Sequence, residues 1–312
     1  MTRPLHVVLG ASGGAGNAIV RALSDRDHTV RAVNRTGTAQ VPEGVGVLSA
    51  DITDRRGAAT AVMGADVVYM AAQPAYHRWA EEFPAMLATV IDAVAAQDAR
   101  LVMVDNLYMY APSSRPLTEA SPTDATTKKG KVRIHLGAML QEAQESRGLA
   151  VAIGRASDYF GPGSNMSAIT ALAIAPGTNG KSIKWMGSLD KRHSVAYLPD
   201  IARAYAILGE SQEASGDTWI LPHGPAPTGA EFLEAVNHAL LDRAKTGTIS
   251  KGMLRMAAPF NKVSRESLEI AYQWTDDFIV DDSKFQRAFG PFETTPLDEA
   301  VRDTVAAYLA RG

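Results

Sequence analysis

Short apolar runs alternate with amphipathic segments throughout the first half of the chain. The apolar runs predict strands at residues 5–9, 29–33, 45–49, 66–72, 100–104 and 149–155. The amphipathic segments between them predict helices at residues 14–23, 56–63, 79–96 and 132–146. Strands that alternate with helices form right-handed crossovers, and they are apolar along their whole length because helices cover both faces of the sheet. The pattern therefore predicts an α/β fold built on a doubly wound parallel sheet.

The regular alternation stops after the segment Phe160-Gly161-Pro162-Gly163. Glycine and proline become frequent there, and helices predicted at residues 201–208 and 230–241 stand between irregular loops. The second half shows neither an internal repeat nor a clear linker. We expect residues 1–160 to form the sheet domain. Residues 161–312 should form mainly a smaller cap that packs on it, with some segments returning to the sheet.

The composition is that of an ordinary globular protein, with 46% hydrophobic and 21% charged residues and a net charge of −3. This balance excludes a disordered chain and argues against nucleic-acid binding, which usually requires a basic excess. The absence of cysteine excludes disulfides and thiolate chemistry, and no His/Asp/Glu cluster has metal-ligand spacing. No apolar run approaches the roughly 18 residues of a membrane span, and the run after residue 4 is too short for a signal peptide. We therefore expect a cytoplasmic protein with a small-molecule substrate.

A glycine-rich turn follows the first predicted strand and opens the first predicted helix. Its sequence is Gly10-Ala11-Ser12-Gly13-Gly14-Ala15-Gly16. Glycines allow a tight turn and a close approach of backbone N–H groups to a pyrophosphate, and the helix N-terminus favours negative charge. An ATP-type phosphate loop would end in Gly-Lys-Ser/Thr, whereas Asn17 and Ala18 follow Gly16 here. The turn therefore predicts a dinucleotide site that includes Gly10, Ser12, Gly13, Gly14 and Gly16.

The end of the second predicted strand indicates which dinucleotide binds. In this kind of site an acidic residue there accepts from the ribose 2′-hydroxyl of NAD, and an arginine accommodates the 2′-phosphate of NADP. The strand ends in Arg31-Ala32-Val33-Asn34-Arg35, without Asp or Glu. A guanidinium can bind the phosphate in bidentate fashion. We therefore favour NADP(H), with Arg35 as its ligand, over NAD(H), although Arg35 as a solvated surface residue is the open alternative.

Further segments follow the glycine turn in a fixed order: Ala50-Asp51-Ile52, residues 66–72 (DVVYMAA), Gly154-Arg155, Tyr159-Phe160-Gly161-Pro162-Gly163 and residues 193–202 (HSVAYLPDIA). Over most of its length the chain thus resembles the extended short-chain dehydrogenase/reductases, which include the NAD-dependent epimerases and dehydratases. The resemblance implies a Rossmann-type sheet domain with a smaller C-terminal substrate-binding cap. It also implies that Asp51 and Ile52 border the adenine and that Ala71, Ala72 and Gln73 lie along the cofactor. Members often pair through two long helices, which leaves a homodimer open.

The family's catalytic signature is a Tyr followed four residues later by a Lys, with a Ser or Thr at the end of the fifth strand. The Tyr exchanges a proton with a substrate oxygen, and the Lys lowers its pKa and holds the cofactor ribose. Here these positions fall on Lys129, Arg133 and Asn106, and no Tyr-x-x-x-Lys occurs in the region. The chain therefore resembles an atypical member. Arg133 can still hold the ribose, whereas a Lys129 ammonium needs a depressed pKa to exchange protons at neutral pH.

Two tyrosines after the fifth predicted strand are alternative proton donors. If that strand continues far enough, Asn106, Tyr108 and Tyr110 share one face at the carboxyl edge of the sheet, where ligands bind. Tyr108 could then protonate a carbonyl with Asn106 as a polarising donor, or either tyrosine could be a packing residue. Among the histidines, His193 is either a titrating group or a cap residue bound to a loop carbonyl. His135 is interpreted as structural, and His77 either lines the substrate pocket or is structural.

Three functions remain in competition at this point. The first is an NADP(H)-dependent oxidoreductase acting on a small carbonyl, alcohol or activated alkene, with proton delivery from Tyr108, Lys129 or water. The second is an epimerase or dehydratase that keeps its cofactor bound and recycles it in each turnover. The third is a non-catalytic, NmrA-like regulator that only binds the dinucleotide.

Overall fold

The structure is a computed structural model that describes residues 3–241, 243–260 and 262–310. Its strands are β1 (Leu5–Leu9), β2 (Thr29–Asn34), β3 (Gly46–Ser49), β4 (Val67–Met70), β5 (Arg100–Asp105), β6 (Val151–Arg155), β7 (Asp158–Phe160), β8 (Ile183–Met186), β9 (Val195–Tyr197), β10 (Asp217–Ile220) and β11 (Thr246–Ile249). Its α-helices are α1 (Gly14–Ser24), α2 (Arg55–Val62), α3 (Trp79–Ala95), α4 (Lys128–Arg147), α5 (Ala175–Thr178), α6 (Leu198–Glu210), α7 (Gly229–Ala239), α8 (Lys251–Ala257), α9 (Lys262–Ile270), α10 (Ser283–Phe289) and α11 (Leu297–Leu309).

Seven parallel strands form the central sheet in the order β10-β6-β5-β4-β1-β2-β3. The predicted fold class, a doubly wound α/β sheet of the Rossmann type, is confirmed. Because the strand order reverses on the two sides of β1, the crevice outside the carboxyl ends of β1 and β4 is the expected ligand site of this topology. The glycine turn leaves β1 at this crevice.

Two hydrophobic layers cover the sheet. Alternate strand residues such as Val7 and Val68 pack under α2, α3 and α4, whereas Val8 and Tyr69 pack under α1 and α6. All four of these side chains are completely buried. Burial on both faces explains why the strands are apolar without interruption.

The second half of the chain builds its own core and also returns to the sheet. Trp185, Trp274 and Phe232 lie at the centre of that core, among residues from β8, α7 and α11. Two small sheets, β7–β9 and β8–β11, belong to this half. In contrast, α6 packs beside α1, and β10 completes the edge of the central sheet. No helix in the described ranges is long and apolar enough to cross a membrane.

Two local predictions differ from the structure. Strand β5 ends at Asp105, and the amide of Tyr110 donates to the carbonyl of Leu107 in a turn. The prediction that Asn106, Tyr108 and Tyr110 share one strand face is therefore wrong. Helix α4 begins four residues earlier than predicted because Thr127 caps it, its hydroxyl accepting from the Gly130 amide at 3.0 Å.

Candidate functional site

The turn between β1 and α1 is tight enough to exclude side chains. Gly10 has a φ of +86°, and a Cβ there would lie 2.6 Å from the amide nitrogen of Ala72. A Cβ on Gly16 would lie 2.3 Å from the Gly10 carbonyl oxygen. Both contacts are shorter than van der Waals distance, so these positions require glycine. The predicted cradle therefore has the backbone geometry that its sequence indicated.

The N-terminus of α1 offers unpaired donors at this cradle. Its N-cap residue Gly13 supplies no side-chain cap, and the amides of Gly14, Ala15 and Gly16 find no acceptor among the described residues. Gly13 and the adjacent Ser12 are exposed. Unpaired N–H groups at the positive end of a helix dipole are the donor set that a pyrophosphate uses. The residues present therefore fit a dinucleotide at this place.

The chain turns at the end of β2, where the Asn34 side chain closes the turn and Arg35 follows it. Asn34 Oδ1 accepts from the Thr36 amide at 3.0 Å, and Asn34 Nδ2 donates to the Thr38 carbonyl at 2.8 Å. Both polar atoms of the Asn34 side chain are therefore used in hydrogen bonds within this turn. The next residue, Arg35, is exposed, and its guanidinium makes no hydrogen bond within the described ranges. An exposed cation, rather than a carboxylate, therefore follows β2 directly.

The neighbouring turn after β3 holds the residues that the resemblance places at the adenine. Asp51 is exposed, and its Oδ1 accepts from the amide of Thr53 at 3.0 Å and from its hydroxyl at 2.7 Å. These bonds, and to a smaller degree the charge of Arg35, hold the pKa of Asp51 below its usual range. The Ile52 side chain is buried in the core under α2 and α3. Asp51 is therefore an exposed, ionised carboxylate at the rim of the cleft, held by two hydrogen bonds.

A buried charge cluster lies below the carboxyl ends of β4, β5 and β6. Asp105 accepts from Arg133 Nη1 at 3.0 Å through one oxygen and from Arg155 Nε at 3.2 Å through the other. Arg155 Nη1 donates to the Tyr110 hydroxyl at 2.6 Å. Burial raises the pKa of Tyr110. Tyr110 is 1% exposed and its hydroxyl oxygen accepts from Arg155, so it is a structural residue of this cluster that a substrate does not reach.

Arg133 connects this cluster to the predicted cofactor path. Its Nη2 donates to Gln73 Oε1 at 3.2 Å, and Gln73 follows Ala71 and Ala72 at the end of β4. Its guanidinium stacks over the Trp79 ring, 4.3 Å from the centroid, and its Nε has no partner among the described residues. The structure therefore brings Arg133 and Gln73 together beyond the end of β4.

Lys129 is already neutralised by neighbouring groups. Its ammonium lies 2.9 Å from Glu266 Oε2, donates to the Tyr76 carbonyl and sits 4.3 Å from the centroid of the Tyr76 ring. The residue is 6% exposed. The ion pair, the hydrogen bond and the cation–π contact together fix the ammonium in this position. We therefore assign Lys129 to the support of this wall rather than to proton exchange.

Tyr108 lies in the turn that follows β5. Its amide donates to Asn106 Oδ1 at 3.1 Å, so Asn106 holds the turn that carries it. Burial raises the pKa of Tyr108 well above its usual value, and the nearby hydroxyl of Tyr76 raises it further. The Tyr108 phenol is therefore a hydrogen-bond donor at neutral pH and not a base.

The three histidines have different surroundings. His193 is buried, with Nδ1 at 3.0 Å from the Gln273 carbonyl and Nε2 at 3.0 Å from Asp158 Oδ2. His77 and His135 are exposed. The predicted carbonyl contact of His193 is present, but the sequence analysis did not identify Asp158, nor did it identify Asp105 and Arg155. The available signal was that Asp105 and Arg155 end neighbouring parallel strands.

The fold is similar to that of solved nucleotide-sugar epimerases. UDP-glucose 4-epimerase of Thermus thermophilus, solved with NAD, has a TM-score of 0.77 at 17% identity, over 97% of this chain and 98% of that chain. UDP-glucose 4-epimerase of Thermotoga maritima, solved with UDP-glucose, has a TM-score of 0.81 at 13% identity, over 98% and 99%. A nucleoside-diphosphate-sugar epimerase of Pseudomonas aeruginosa has a TM-score of 0.80 at 19% identity, over 100% and 99%.

At these identities the similarity shows the fold alone. No curated protein matches the sequence. The model of the NAD dependent epimerase/dehydratase family matches residues 6–221. That range is more than half of the 312 residues and contains the cradle, the charge cluster and Tyr108. The chain therefore belongs to the NAD-dependent epimerase/dehydratase family.

Proposed function

We propose that the protein is an NADP(H)-dependent oxidoreductase that acts on a small carbonyl, alcohol or activated alkene. In this proposal it is an atypical family member, because none of its nine tyrosines is followed four residues later by a lysine. The observation that carries the proposal is the cradle of unpaired amides at α1, which leads to the unpaired guanidinium of Arg35.

The preference for NADP(H) follows from the charges at the end of β2. A 2′-phosphate carries negative charge that a carboxylate repels and a guanidinium binds. Arg35 is exposed and unpaired among the described residues, whereas Asn34 is occupied by its own turn. The Asp51 carboxylate in the neighbouring turn accepts two hydrogen bonds from Thr53. These contacts favour a phosphate over a bare ribose hydroxyl.

The dinucleotide supplies a hydride at C4 of its nicotinamide when it is bound. The chain contributes binding and orientation. Arg133 and Gln73 present donors at the end of β4, where they can hold a ribose hydroxyl. Tyr108 can donate a hydrogen bond to a substrate oxygen on which negative charge develops. These residues suffice for the reduction of an activated alkene. That reaction passes through a stabilised enolate, which needs only a hydrogen-bond donor at its oxygen and a weak acid.

A second candidate is a self-contained epimerase or dehydratase. It is favoured by the family assignment and by the full-length similarity to epimerases. An enzyme of that kind retains its cofactor through each turnover. Dinucleotide that copurifies with the protein and survives dialysis would favour it over the reductase, and UDP-glucose is the first sugar nucleotide to test.

The decisive experiment is a fluorescence titration with NADPH and NADH. We expect NADPH to bind more tightly. The Arg35→Ala variant should lose about 10-fold or more in NADPH affinity, because hydrogen bonds to charged groups contribute about 1.5–3 kcal/mol, and little in NADH affinity. The matched control is Arg302→Ala, since Arg302 is equally exposed but lies on α11. Equal losses for both cofactors would refute the NADP(H) preference.

The substrate class is tested by following NADPH absorbance with carbonyl compounds and activated alkenes. Tyr108→Phe should lower kcat for any compound that the wild type reduces, while NADPH affinity stays the same. Unchanged turnover would remove Tyr108 from the reaction. A wild-type protein that binds NADPH but reduces no member of the panel would favour the non-catalytic regulator.

A further inference from the structure

A groove of about 490 Å³ runs between α4 and the strands β6 and β10. Its volume falls in the range of roughly 300–1,000 Å³ that small-molecule sites occupy. The dinucleotide cradle lies elsewhere, at the turn between β1 and α1. Among the described residues assigned to the cofactor, only Arg133 also lines the groove. The groove is therefore a separate space on the α4 side of the central sheet.

The strand register determines which side chains form the floor of this groove. Ile153 and Arg155 are two residues apart on β6, so their side chains lie on the same face of the sheet. That face is the α4 side, because Ile153 packs in the core with residues of α4. Thr218 of β10 is in register with Ile153 and lines the groove as well. The floor thus combines an apolar, a hydroxyl and a cationic side chain.

The α4 wall leaves the groove open because its residues are small there. Ile134, Gly137, Ala138 and Gln141 line the groove, and residues three, four and seven positions apart share one face of a helix. A Cβ on Gly137 would meet no atom within 4 Å. The wall is therefore one continuous stripe of α4 with a gap at residue 137.

Arg155 is a buried cation with an unused donor. Its side chain is 8% exposed. Nε donates to Asp105 and Nη1 donates to the Tyr110 hydroxyl, but Nη2 has no partner among the described residues. Nη2 is not enclosed by protein, in contrast to the unpartnered Nε of Arg133. Since Arg155 lines the groove, the N–H groups of Nη2 are available to a ligand there.

The charges at this end of the groove do not balance. The guanidinium groups of Arg133 and Arg155 share the carboxylate of Asp105, and no other carboxylate of the described ranges lies within 4 Å of either. One positive charge is therefore left over among largely buried side chains. A guanidinium binds carboxylate and phosphate oxygens through strong, charge-assisted hydrogen bonds. This end of the groove consequently favours an anion.

Two carboxylates also line the groove, but both lie away from Arg155. Glu145 follows Arg133 by three helical turns on α4, which places it about 18 Å further along the helix. Asp217 is adjacent on β10 to a residue of the groove floor, so its side chain lies on the opposite face of the sheet. There it pairs with Lys284 at 2.5 Å. Neither carboxylate therefore competes for Arg155.

We propose that this groove is a second ligand site that binds a small hydroxylated organic anion. The carboxylate or phosphate group of the ligand accepts from Arg155 Nη2. Its hydroxyl groups meet the polar side chains of Thr218 and Gln141, and its carbon atoms lie against Ile153 and Ile134. The inference does not depend on the proposed function, because the ligand contacts neither the glycine cradle nor the nicotinamide.

Titration calorimetry tests the site with three probes that share one three-carbon body. Glycerol 3-phosphate carries a phosphate, glycerate carries a carboxylate and glycerol carries neither. We expect at least one of the two anions to bind the wild-type protein with a Kd below about 1 mM, and glycerol not to bind. The anion that binds more tightly identifies the charged group that the site takes. Failure of both anions to bind, or equal binding of glycerol, would overturn the proposal.

Two variants assign the binding to the groove. Arg155→Gln removes the unused donor and should lower the affinity by at least about 10-fold. Because this change also alters the partners of Asp105, Gly137→Leu is the second variant. It fills the groove from the α4 wall, leaves the charge cluster intact and should lower the affinity as much. The matched controls are Gly137→Ala, which adds only a Cβ in open space, and Arg147→Gln, an exposed cation at the end of α4. Both should bind the anion as the wild type does.

A phosphate can also bind at the N-terminus of α1, so the cradle needs its own control. Gly16→Ala obstructs the cradle and should leave the affinity for the anion unchanged. Binding that is lost in Gly16→Ala and kept in Gly137→Leu would place the anion in the cradle and refute the proposal. Binding of NADPH tests the proposed function independently. A protein that binds the anion but no dinucleotide would refute the proposed function and leave this inference standing.

Discussion

Replacing Asp105 with asparagine removes the only carboxylate that, in the described part of the chain, lies within hydrogen-bonding distance of two buried guanidinium groups. Arg133 and Arg155 are 4% and 7% exposed and bind the two oxygens of Asp105 at 3.0 and 3.2 Å. Asparagine has the same shape, but its amide can accept from only one arginine and turns a donor toward the other. Breaking a buried ion pair by removing one partner costs about 3–5 kcal/mol. We expect Asp105→Asn to lower the free energy of unfolding by that amount in urea titrations.

The matched control is an ion pair of the same chemistry at the surface. Arg147 and Asp92 lie 2.5 Å apart, with side chains 49% and 47% exposed. Exposed pairs contribute at most about 1 kcal/mol because water and salt screen them. Asp92→Asn should therefore change stability by less than that. If Asp105→Asn costs no more than Asp92→Asn, the cluster is not a stabilising centre, and its role in orienting Arg133 would need another explanation.

Substitutions at single positions give three further predictions. Gly16→Ala should abolish dinucleotide binding in the fluorescence titration, because the added Cβ would lie 2.3 Å from the Gly10 carbonyl oxygen. Its control is Gly137→Ala on α4, where the added Cβ meets open space and should stabilise the protein by about 0.5–1 kcal/mol. Tyr110→Phe should cost about 1.5–3 kcal/mol in urea and leave turnover intact, since it removes only the hydrogen bond from Arg155. Burial lowers the pKa of His223 to about 4. Its contribution to the free energy of unfolding is therefore complete above pH 6.5 and falls by about 1.4 kcal/mol per pH unit between pH 6.5 and 4. A stability–pH profile of His223→Gln that is as steep as that of the wild type would contradict this last prediction.

The sheet and the cradle could be predicted because local sequence determines them. Strand β1 lies where the apolar run predicted it, and five more strands of the central sheet lie within one or two residues of their predicted positions. Gly10 and Gly16 could be recognised because close backbone contacts allow no other residue. The strands and the contact between Gly16 and Gly10 depend on residues that are close in the chain, so they can be recognised in the sequence.

The side-chain network could not be predicted because its partners are far apart in the chain. Asp105 lies 28 residues from Arg133 and 50 from Arg155, and Asp158 lies 35 residues from His193. The sequence shows that these residues end strands or open loops, but not which way their side chains turn. The turn at residues 106–110 could not be predicted for the same reason, since the Tyr110 hydroxyl binds Arg155, which lies 45 residues away in the chain.

The charges at the signature positions differ from those that a tyrosine–lysine pair would supply. Lys129 is paired with Glu266, and Arg133 shares the Asp105 carboxylate with Arg155. The charge of Arg133 lowers the pKa of Tyr108 to a small degree, but burial raises it far more, so this pKa lies well above its usual value. Tyr108 therefore acts as a hydrogen-bond donor at neutral pH and not as a base. The same contacts predict that Lys129→Tyr alone will not raise kcat, because Arg133 remains bound to Asp105.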